Sequence, residues 1–278
     1  MIEDSDGHFI HCNFRQNLGQ LACGDHVVFE SDNHQEAVVT ALIDRQSVLM
    51  RAVFGGEEKP LAANISQMII VVAPFPEPSE YLIDQYLIAA QRVGVPAMIT
   101  INKSDLLDDD QKAALAKRLA HYEQIGYPMI FISANQQQGL KPLTDRLIDQ
   151  ISILVGQSGV GKSSLTNALI PDLDLQTQKL SAKRQLGQHT TSASTLYDLP
   201  TGGRLIDSPG VRSFRPGKID LPTLENGFVE LSEFLGHCRF RDCSHVNEPG
   251  CALIAAKEAG KINSQRLENF LHMKNDLQ

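Results

Sequence analysis

No run of apolar residues in this chain is long enough to cross a bilayer: stretches such as Met68 to Ala73 and Ile151 to Val155 fall far short of the roughly 20 residues a spanning helix needs. The N-terminus lacks the basic-then-apolar signature of a secretory signal and carries Glu3, Asp4 and Asp6 instead. These absences predict a cytoplasmic protein without a membrane partner. Internal repeats and low-complexity tracts are missing too. With 42% apolar and 21% charged residues, neither a disordered nor a fibrous class fits. Basic charge is also scarce, at 25 Lys and Arg against 33 Asp and Glu, a formal net charge of −8. Phosphate contacts need Lys and Arg, so a broad, nonspecific nucleic-acid binder is excluded.

What is present, in 278 residues, suffices for two or three domains. Residues 1 to about 62 carry short apolar runs (Phe9-Ile10, His26 to Phe29, Ala37 to Ile43, Ser47 to Phe54) between polar or Gly-containing breaks, the spacing of an antiparallel β sandwich or small barrel. From Met68 the pattern changes. Strand-like runs at Met68 to Ala73, Ala97 to Ile101, Met129 to Ile132 and Ile151 to Val155 alternate with helical stretches at Ser79 to Val93 and Asp109 to Gln124. Leu82, Tyr86 and Ala89 in the first helix, and Leu115, Leu119 and Tyr122 in the second, recur at helical spacing as core positions. Such alternation predicts a doubly wound parallel sheet, extended by strands at Ser194 to Leu199 and Arg204 to Ile206. Beyond Pro216 the chain is polar and irregular until a closing helix containing Leu267, Phe270 and Leu271, which reads as a third, small domain.

The sharpest motif is Gly156-Gln157-Ser158-Gly159-Val160-Gly161-Lys162-Ser163, a complete G-x-x-x-x-G-K-[ST] directly after the strand Ile151 to Val155. Its glycines let backbone N–H groups approach phosphate oxygens, Lys162 neutralises the β and γ phosphates, and the Ser163 hydroxyl ligates Mg²⁺. Asn102-Lys103-Ser104-Asp105 follows the strand Ala97 to Ile101. There an Asp105 carboxylate can accept from N1–H and the exocyclic amine of guanine, a donor pair that adenine lacks. Asn102 would hold the loop and the base edge, the Lys103 stem would lie along the ring, and Ser133-Ala134 fits a backbone contact to the guanine oxygen. Together these motifs select GTP.

Asp207-Ser-Pro-Gly210 follows the strand Arg204 to Ile206 and suits a water-mediated Asp207 contact to Mg²⁺ and a Gly210 N–H on the γ phosphate. Within the polar stretch Gln176 to Ser192, one of Thr190 and Thr191 would complete the Mg²⁺ shell. The guanine motifs precede the P-loop, the reverse of the ordinary order, so the GTPase domain reads as circularly permuted, with its switch segments leading into the C-terminal domain. Val211 stands where Ras-like enzymes carry a water-orienting Gln. Slow intrinsic hydrolysis is expected, with His189 as the candidate to position water once a partner orders it.

Three of the five cysteines fall in one window. Cys238-x4-Cys243-x-His245-x5-Cys251 supplies three thiolates and one imidazole, the donor set of a closed structural zinc site. Cys12 and Cys23 read as packing residues.

The permuted order, Ala62-Ala63-Asn64-Ile65 before the first strand of the GTPase domain, Gly156 to Ser164, Gly187 to Thr191, Asp207 to Gly210 and the Cys238 to Cys251 spacing together resemble the bacterial small-ribosomal-subunit-dependent GTPases of the RsgA/YjeQ family. The resemblance implies an N-terminal β-barrel (OB-fold) over residues 1–65, a central α/β circularly permuted P-loop GTPase domain over 66–215, and a C-terminal zinc-binding domain over 216–278. It also implies GTP hydrolysis stimulated by the small subunit, a role in late maturation of that subunit, ribosomal RNA binding and a monomeric state. Phosphate binding extends by this likeness to Ser164, and the family's Gly-x-His-Thr-Thr histidine falls on His189. Relative to the family pattern the chain starts late, without a basic N-terminal tail or the first strand of the OB-fold, and ends without a basic C-terminal tail.

The acidic excess is local. Residues 1 to 65 hold ten acids and four bases, whereas 66 to 229 hold sixteen and fifteen. Small basic groups, Lys179, Lys183 and Arg184 in the switch stretch and Arg239 and Arg241 in the zinc window, are the candidate RNA contacts. Two further readings compete: a GTP-dependent binding switch on RNA or protein in which hydrolysis is incidental, and a GTP-driven metal handler. The four-ligand set argues against the second, because a delivery site should release its metal easily.

Overall fold

The structure, a computed structural model, describes residues 1–15, 18–31, 37–52, 57–171, 194–208 and 219–277. Its centre is a six-stranded sheet built from β8 (Gln67–Val72), β9 (Ala97–Ile101), β10 (Met129–Phe131), β11 (Ile151–Val155), β12 (Thr195–Asp198) and β13 (Arg204–Asp207). The spatial order is β10-β9-β8-β11-β13-β12. All pairings are parallel except the edge strand β12, which runs antiparallel to β13. The purely parallel expectation gives way there because β12 and β13 are joined by a tight turn, closed by the Leu199 N–H on Gly203 O at 3.0 Å, and a connection so short can only reverse the chain.

Sequence order explains the layout. The chain steps outward through β8, β9 and β10, returns to place β11 beside β8, then goes to the far edge as β12 and turns back to insert β13 between β12 and β11. The β8–β11 boundary is therefore a topological switch point, and parallel α/β sheets form their ligand crevices at the carboxyl ends of strands flanking such a point.

Strand periodicity sorts the core into two layers. Met68, Ile70 and Val72 of β8 pack with Ile153 and Val155 against α1 (Glu80–Val93) and α2 (Asp109–Gln124), through Ile83, Tyr86, Leu87, Leu119 and Tyr122. Ile69 and Val71 face the other way, toward Leu143 and Leu147 of α3 (Leu140–Leu147) and Leu165 and Leu169 of α4 (Lys162–Leu169). Helix starts are locally encoded. Ser79 accepts the Leu82 N–H at 3.3 Å, and Asp108 and Gln111 form a reciprocal capping box at the head of α2.

The N-terminal unit contains β1 (Ile2–Glu3), β2 (Phe9–Ile10), β3 (Cys12–Phe14), β4 (Val27–Ser31), β5 (Ala37–Leu42), β6 (Val48–Ala52) and β7 (Glu58–Ala63). It is not wholly antiparallel: β3 pairs with β5 in parallel. Strand β7, Glu-Lys-Pro-Leu-Ala-Ala, carries no strand signature in sequence because Pro60 cannot donate to a ladder. The β6–β7 register shifts between Leu49 and Met50, where Pro60 is met. Leu49 and Ala62 enter the core layer of α1, and Arg92 of α1 reaches Glu58 of β7 at 3.0 Å.

After residue 218 the described chain forms α5 (Leu221–Gly227), α6 (Ala252–Glu258) and α7 (Ser264–Asn275), the last covering the predicted closing helix. Phe228, Leu231, Leu253, Leu267 and Phe270 make a separate core that includes Ile88 of α1.

Candidate functional site

The carboxyl ends of β8, β9 and β11 bring the guanine-type and P-loop motifs into contact. Residues of the P-loop follow β11 directly, and α4 begins at Lys162. Gly156 has φ +143°, and a Cβ there would lie 2.1 Å from Val71 O; Gly161 has φ +91°, and a Cβ there would lie 2.5 Å from Asn102 Nδ2. Both positions thus need glycine, one for the neighbouring strand and one for the guanine motif. Val160 is buried, while Ser158, Gly159, Ser163 and Ser164 are exposed at the loop's outer rim.

Lys162 is buried, and its Nζ donates to Gly156 O and Gln157 O at 2.8 and 2.9 Å. Burial lowers its pKa and nearby Asp207 opposes that shift. Asp207, at the end of β13, is pushed the other way: burial raises its pKa, while Lys162 and the Thr166 hydroxyl hold it down. The pair places one cation and one carboxylate at the phosphate end of the crevice. Ser208, buried, donates to Leu154 O at 2.8 Å and pins the strand end that carries Asp207.

On the other side of the P-loop, Asn102 is 1% exposed. Its amide donates to Val160 O (3.0 Å) and Gly161 O (3.3 Å), and its side-chain oxygen accepts the Ala134 N–H at 3.0 Å. One side chain thereby ties together the P-loop, the end of β9 and the Ser133-Ala134 segment. The Ala134 N–H is thus directed at Asn102. Lys103 takes a left-handed backbone (φ +61°) and donates from Nζ to Gly159 O and to Phe75 O. Ser104 is buried, with its N–H on Ile132 O at 3.0 Å. One oxygen of Asp105, Oδ1, is buried with no hydrogen-bond partner, at the edge of the same crevice. Ser133 is fully buried, and its hydroxyl accepts the Gln136 N–H.

His189, Thr190, Thr191, Gly210 and Val211 lie outside the described residues, as do Lys179, Lys183 and Arg184. Sequence reasoning missed two contributors: the Phe75 carbonyl, which accepts from Lys103 Nζ, and Thr166 beside Asp207. Only the Thr166 position, four residues past Lys162 on α4, had a signal that could have been read.

The second predicted cluster also assembles. Single donor atoms of Cys238, Cys243, His245 and Cys251 lie within 4.8 Å of one another, a group that could hold a metal ion. His245 Nδ1 is 3.5 Å from Cys238 Sγ and 3.4 Å from Cys251 Sγ, and the two sulfurs are 3.9 Å apart. Burial keeps His245 below its ordinary pKa, hence neutral and able to ligate, and raises Cys243 to about 11. The loop is shaped by Glu248, whose carboxylate accepts the Ser244, Val246 and Asn247 N–H groups and the Ser244 hydroxyl, around a left-handed His245 (φ +68°). Asp4, Asp6 and His8 also cluster, but in an exposed turn closed by the Asp4 side chain. Among the described residues, no helix is long and apolar enough to cross a membrane.

A P-loop and a guanine-type Asn-Lys-x-Asp motif share one crevice, on a sheet whose guanine half comes first in sequence. Those features define a circularly permuted P-loop GTPase, an enzyme that hydrolyses GTP. The RsgA GTPase family model matches residues 42–216, and the chain belongs to that family. It is 45% identical, over 96% of its length and 78% of the relative's, to the small ribosomal subunit biogenesis GTPase RsgA of Ectopseudomonas mendocina (strain ymp). It is 46% identical to the protein of that name from Hahella chejuensis (strain KCTC 2396), over 98% of this chain and 78% of the relative. Among solved structures it is similar to YjeQ from Thermotoga maritima (TM-score 0.75, 31% identity, covering 99% of this chain and 92% of that one) and to the circularly permuted GTPase YloQ (TM-score 0.70, 27% identity, 96% and 86%).

Proposed function

We propose that this GTPase binds GTP across the Gly156–Ser164 loop and the Asn102–Asp105 motif, and acts in late maturation of the small ribosomal subunit. The observation that carries the nucleotide reading is Asp105 Oδ1, a buried carboxylate oxygen without a partner at the crevice edge. A buried acceptor is costly to leave unmade, and the N1–H and exocyclic amine of guanine supply the missing donors. Names of relatives 45% and 46% identical to this chain support the ribosomal role.

In this reading Lys162 and the backbone of Gly156 to Ser164 bind the phosphates. Nζ of Lys162 exchanges its two carbonyl contacts for phosphate oxygens, a stronger pairing because the acceptors are charged. Asn102 and Lys103 keep the loop and base edge in register, and Ser104, Ser133 and Ala134 complete the base pocket. Ser163 and Asp207 are the residues to hold Mg²⁺, which neutralises phosphate charge when bound. Asp207 fits that role, being a half-buried carboxylate beside a lysine. One of Thr190 and Thr191 is proposed to complete the Mg²⁺ shell, the Gly210 N–H to contact the γ phosphate, and His189 to position water.

Cys238, Cys243, His245 and Cys251 are proposed to hold one structural zinc ion. A tetrahedron with zinc–sulfur bonds of about 2.3 Å has sulfur–sulfur edges of roughly 3.8 Å. The 3.9 Å between the Cys238 and Cys251 sulfurs fits that figure. We further infer three domains, 1–65, 66–215 and 216–278, the first an OB-like barrel, supported by the parallel β3–β5 pair and the Cys23–Ala62 bridge that brings β7 to the same module. The protein is proposed to work as a cytoplasmic monomer. Arg239 and Arg241, both exposed on the metal loop, are proposed to meet ribosomal RNA phosphates, with Phe240, 43% exposed between them, available for base stacking.

The test is GTP turnover without RNA, with naked ribosomal RNA and with intact small subunits. Stimulation by intact subunits alone is expected. Equal rates in all three would overturn the ribosomal reading.

A further inference from the structure

The N-terminal unit shares a core with the GTPase sheet. A sheet of mostly parallel strands needs apolar cover on both faces. On the face that carries α1 and α2, four residues of the N-terminal unit, Leu49, Leu61, Ala62 and Ile65, are buried in the same cluster as Ile153, Val155 and Ile206. Those sheet residues stand next to the site, since Val155 directly precedes Gly156 and Ile206 directly precedes Asp207. At β13 the two units touch closely. A Cβ built on Gly24 would lie 2.2 Å from Ala63 O and 3.4 Å from Ile206 Cδ1.

The segment Ala62-Ala63-Asn64-Ile65 forms the joint between them. Asn64 holds a left-handed backbone (φ +56°), which asparagine tolerates, and all its polar groups but the carbonyl face the N-terminal unit. Its N–H donates to Ser47 O at 2.8 Å, its side-chain oxygen accepts the Gln46 N–H at 2.9 Å, and its amide donates to Gly24 O at 2.9 Å. The Ala63 N–H donates to Cys23 O at 2.8 Å, and the Ser47 hydroxyl to Ile65 O at 2.7 Å. One residue later the joint is fastened to the strand that leads into the P-loop. The Ser66 N–H donates to Ile151 O at 2.8 Å, and its hydroxyl accepts the Ile151 N–H at 2.9 Å and donates to Gln150 Oε1 at 2.7 Å. Separating the units would expose the shared core and unpair these groups together, which is the condition for a single cooperative opening.

We propose that the N-terminal unit and the GTPase sheet fold and open as one cooperative body, so that the N-terminal unit is a structural part of the nucleotide site and is stabilised by nucleotide at the P-loop. The stabilisation rests on the reading that the P-loop holds the nucleotide. The cooperative body rests on the shared core and the joint alone.

The test follows hydrogen–deuterium exchange in the full chain, with GDP as the probe. A ligand that binds only the folded body slows exchange through whole-body opening by a factor of one plus the ratio of free ligand to its dissociation constant. GDP at about 100 times that constant should therefore slow the most protected amides of β5 (37–42) and of β8 (67–72) equally, by about 100-fold. The second arm needs no nucleotide. Val39, 2% exposed, lies inside the N-terminal unit and apart from the shared core, and Val39→Ala should speed exchange by equal factors in 37–42 and 67–72. Slowing by GDP in 67–72 with 37–42 unchanged would overturn the proposal. So would a Val39→Ala chain in which 37–42 opens while 67–72 keeps its protection. No effect of GDP in either segment would instead overturn the nucleotide reading, and the Val39→Ala arm would then decide the cooperative body by itself.

Discussion

The side-chain oxygen of Asn102 accepts the backbone N–H of Ala134 at 3.0 Å, across two parallel strands and 32 positions of sequence. With its amide on Val160 O and Gly161 O, this one buried residue holds the guanine-side and phosphate-side loops in a common frame. Its replacement should therefore be felt on both sides at once.

Asn102→Ala removes three hydrogen bonds and leaves buried backbone groups unpaired, at a cost of about 2 to 4 kcal/mol. A lowered thermal midpoint together with weakened binding of both GDP and GTP is expected. Circular-dichroism melts and nucleotide titration check it, and a loss confined to stability would contradict the frame.

Asp105→Asn exchanges the unpaired carboxylate for an amide that offers donors where guanine also offers donors. Guanine nucleotide affinity should fall on the order of 100-fold, since hydrogen bonds to charged groups are the stronger kind. Xanthine nucleotides, with a carbonyl at that position, should gain. Competition titrations with both bases read the switch directly.

Metal removal should act locally. Cys243 and Cys251 belong to the core that holds Leu231, Leu253 and Phe270. Chelation, or Cys243→Ser, should release one metal ion per chain and expose amides of 238–251 to exchange, while GDP binding persists. Elemental analysis and exchange mass spectrometry measure the two effects, and a chain that carries no metal when purified would refute the assignment.

His121 sets a pH dependence. Its Nδ1 lies 3.1 Å from Arg118 O, and its buried Nε2 has no hydrogen-bond partner, with Glu80 Oε2 3.7 Å away. Burial lowers its pKa below the ordinary 6.5, against the opposing pull of Glu80 and Asp84. Below 6.5 the unfolded chain therefore binds a proton that the folded chain refuses. Stability should fall as pH drops through that value and level off below the folded pKa. Urea unfolding between about pH 7.5 and about pH 5.5 should show a shallower slope in His121→Gln than in the wild type, and identical slopes would exclude His121 as the source.

Much of the site was legible from the chain because phosphate and guanine chemistry prescribes both residue type and backbone. A P-loop needs glycine where Val71 O and Asn102 crowd the backbone, and those glycines stand at fixed spacing. The metal window was legible for the same reason, as thiolates and imidazoles are rare and cluster for few purposes. Strand β7 was not, because its pairing depends on a register shift at Pro60 that no local pattern announces. Nor was the parallel β3–β5 pair, which periodicity cannot distinguish from an antiparallel one.

The sequence by itself determined the class of chemistry, the permuted order of the motifs and the two ligand sets, since each is a short-range choice of side chains. Only the tertiary structure decided what those sets are braced against. Asp84 and Arg266 stand 182 positions apart, yet folding joins them in a buried pair. Burial and contact of that kind arise from how helices pack, a property of the whole chain and not of any segment within it.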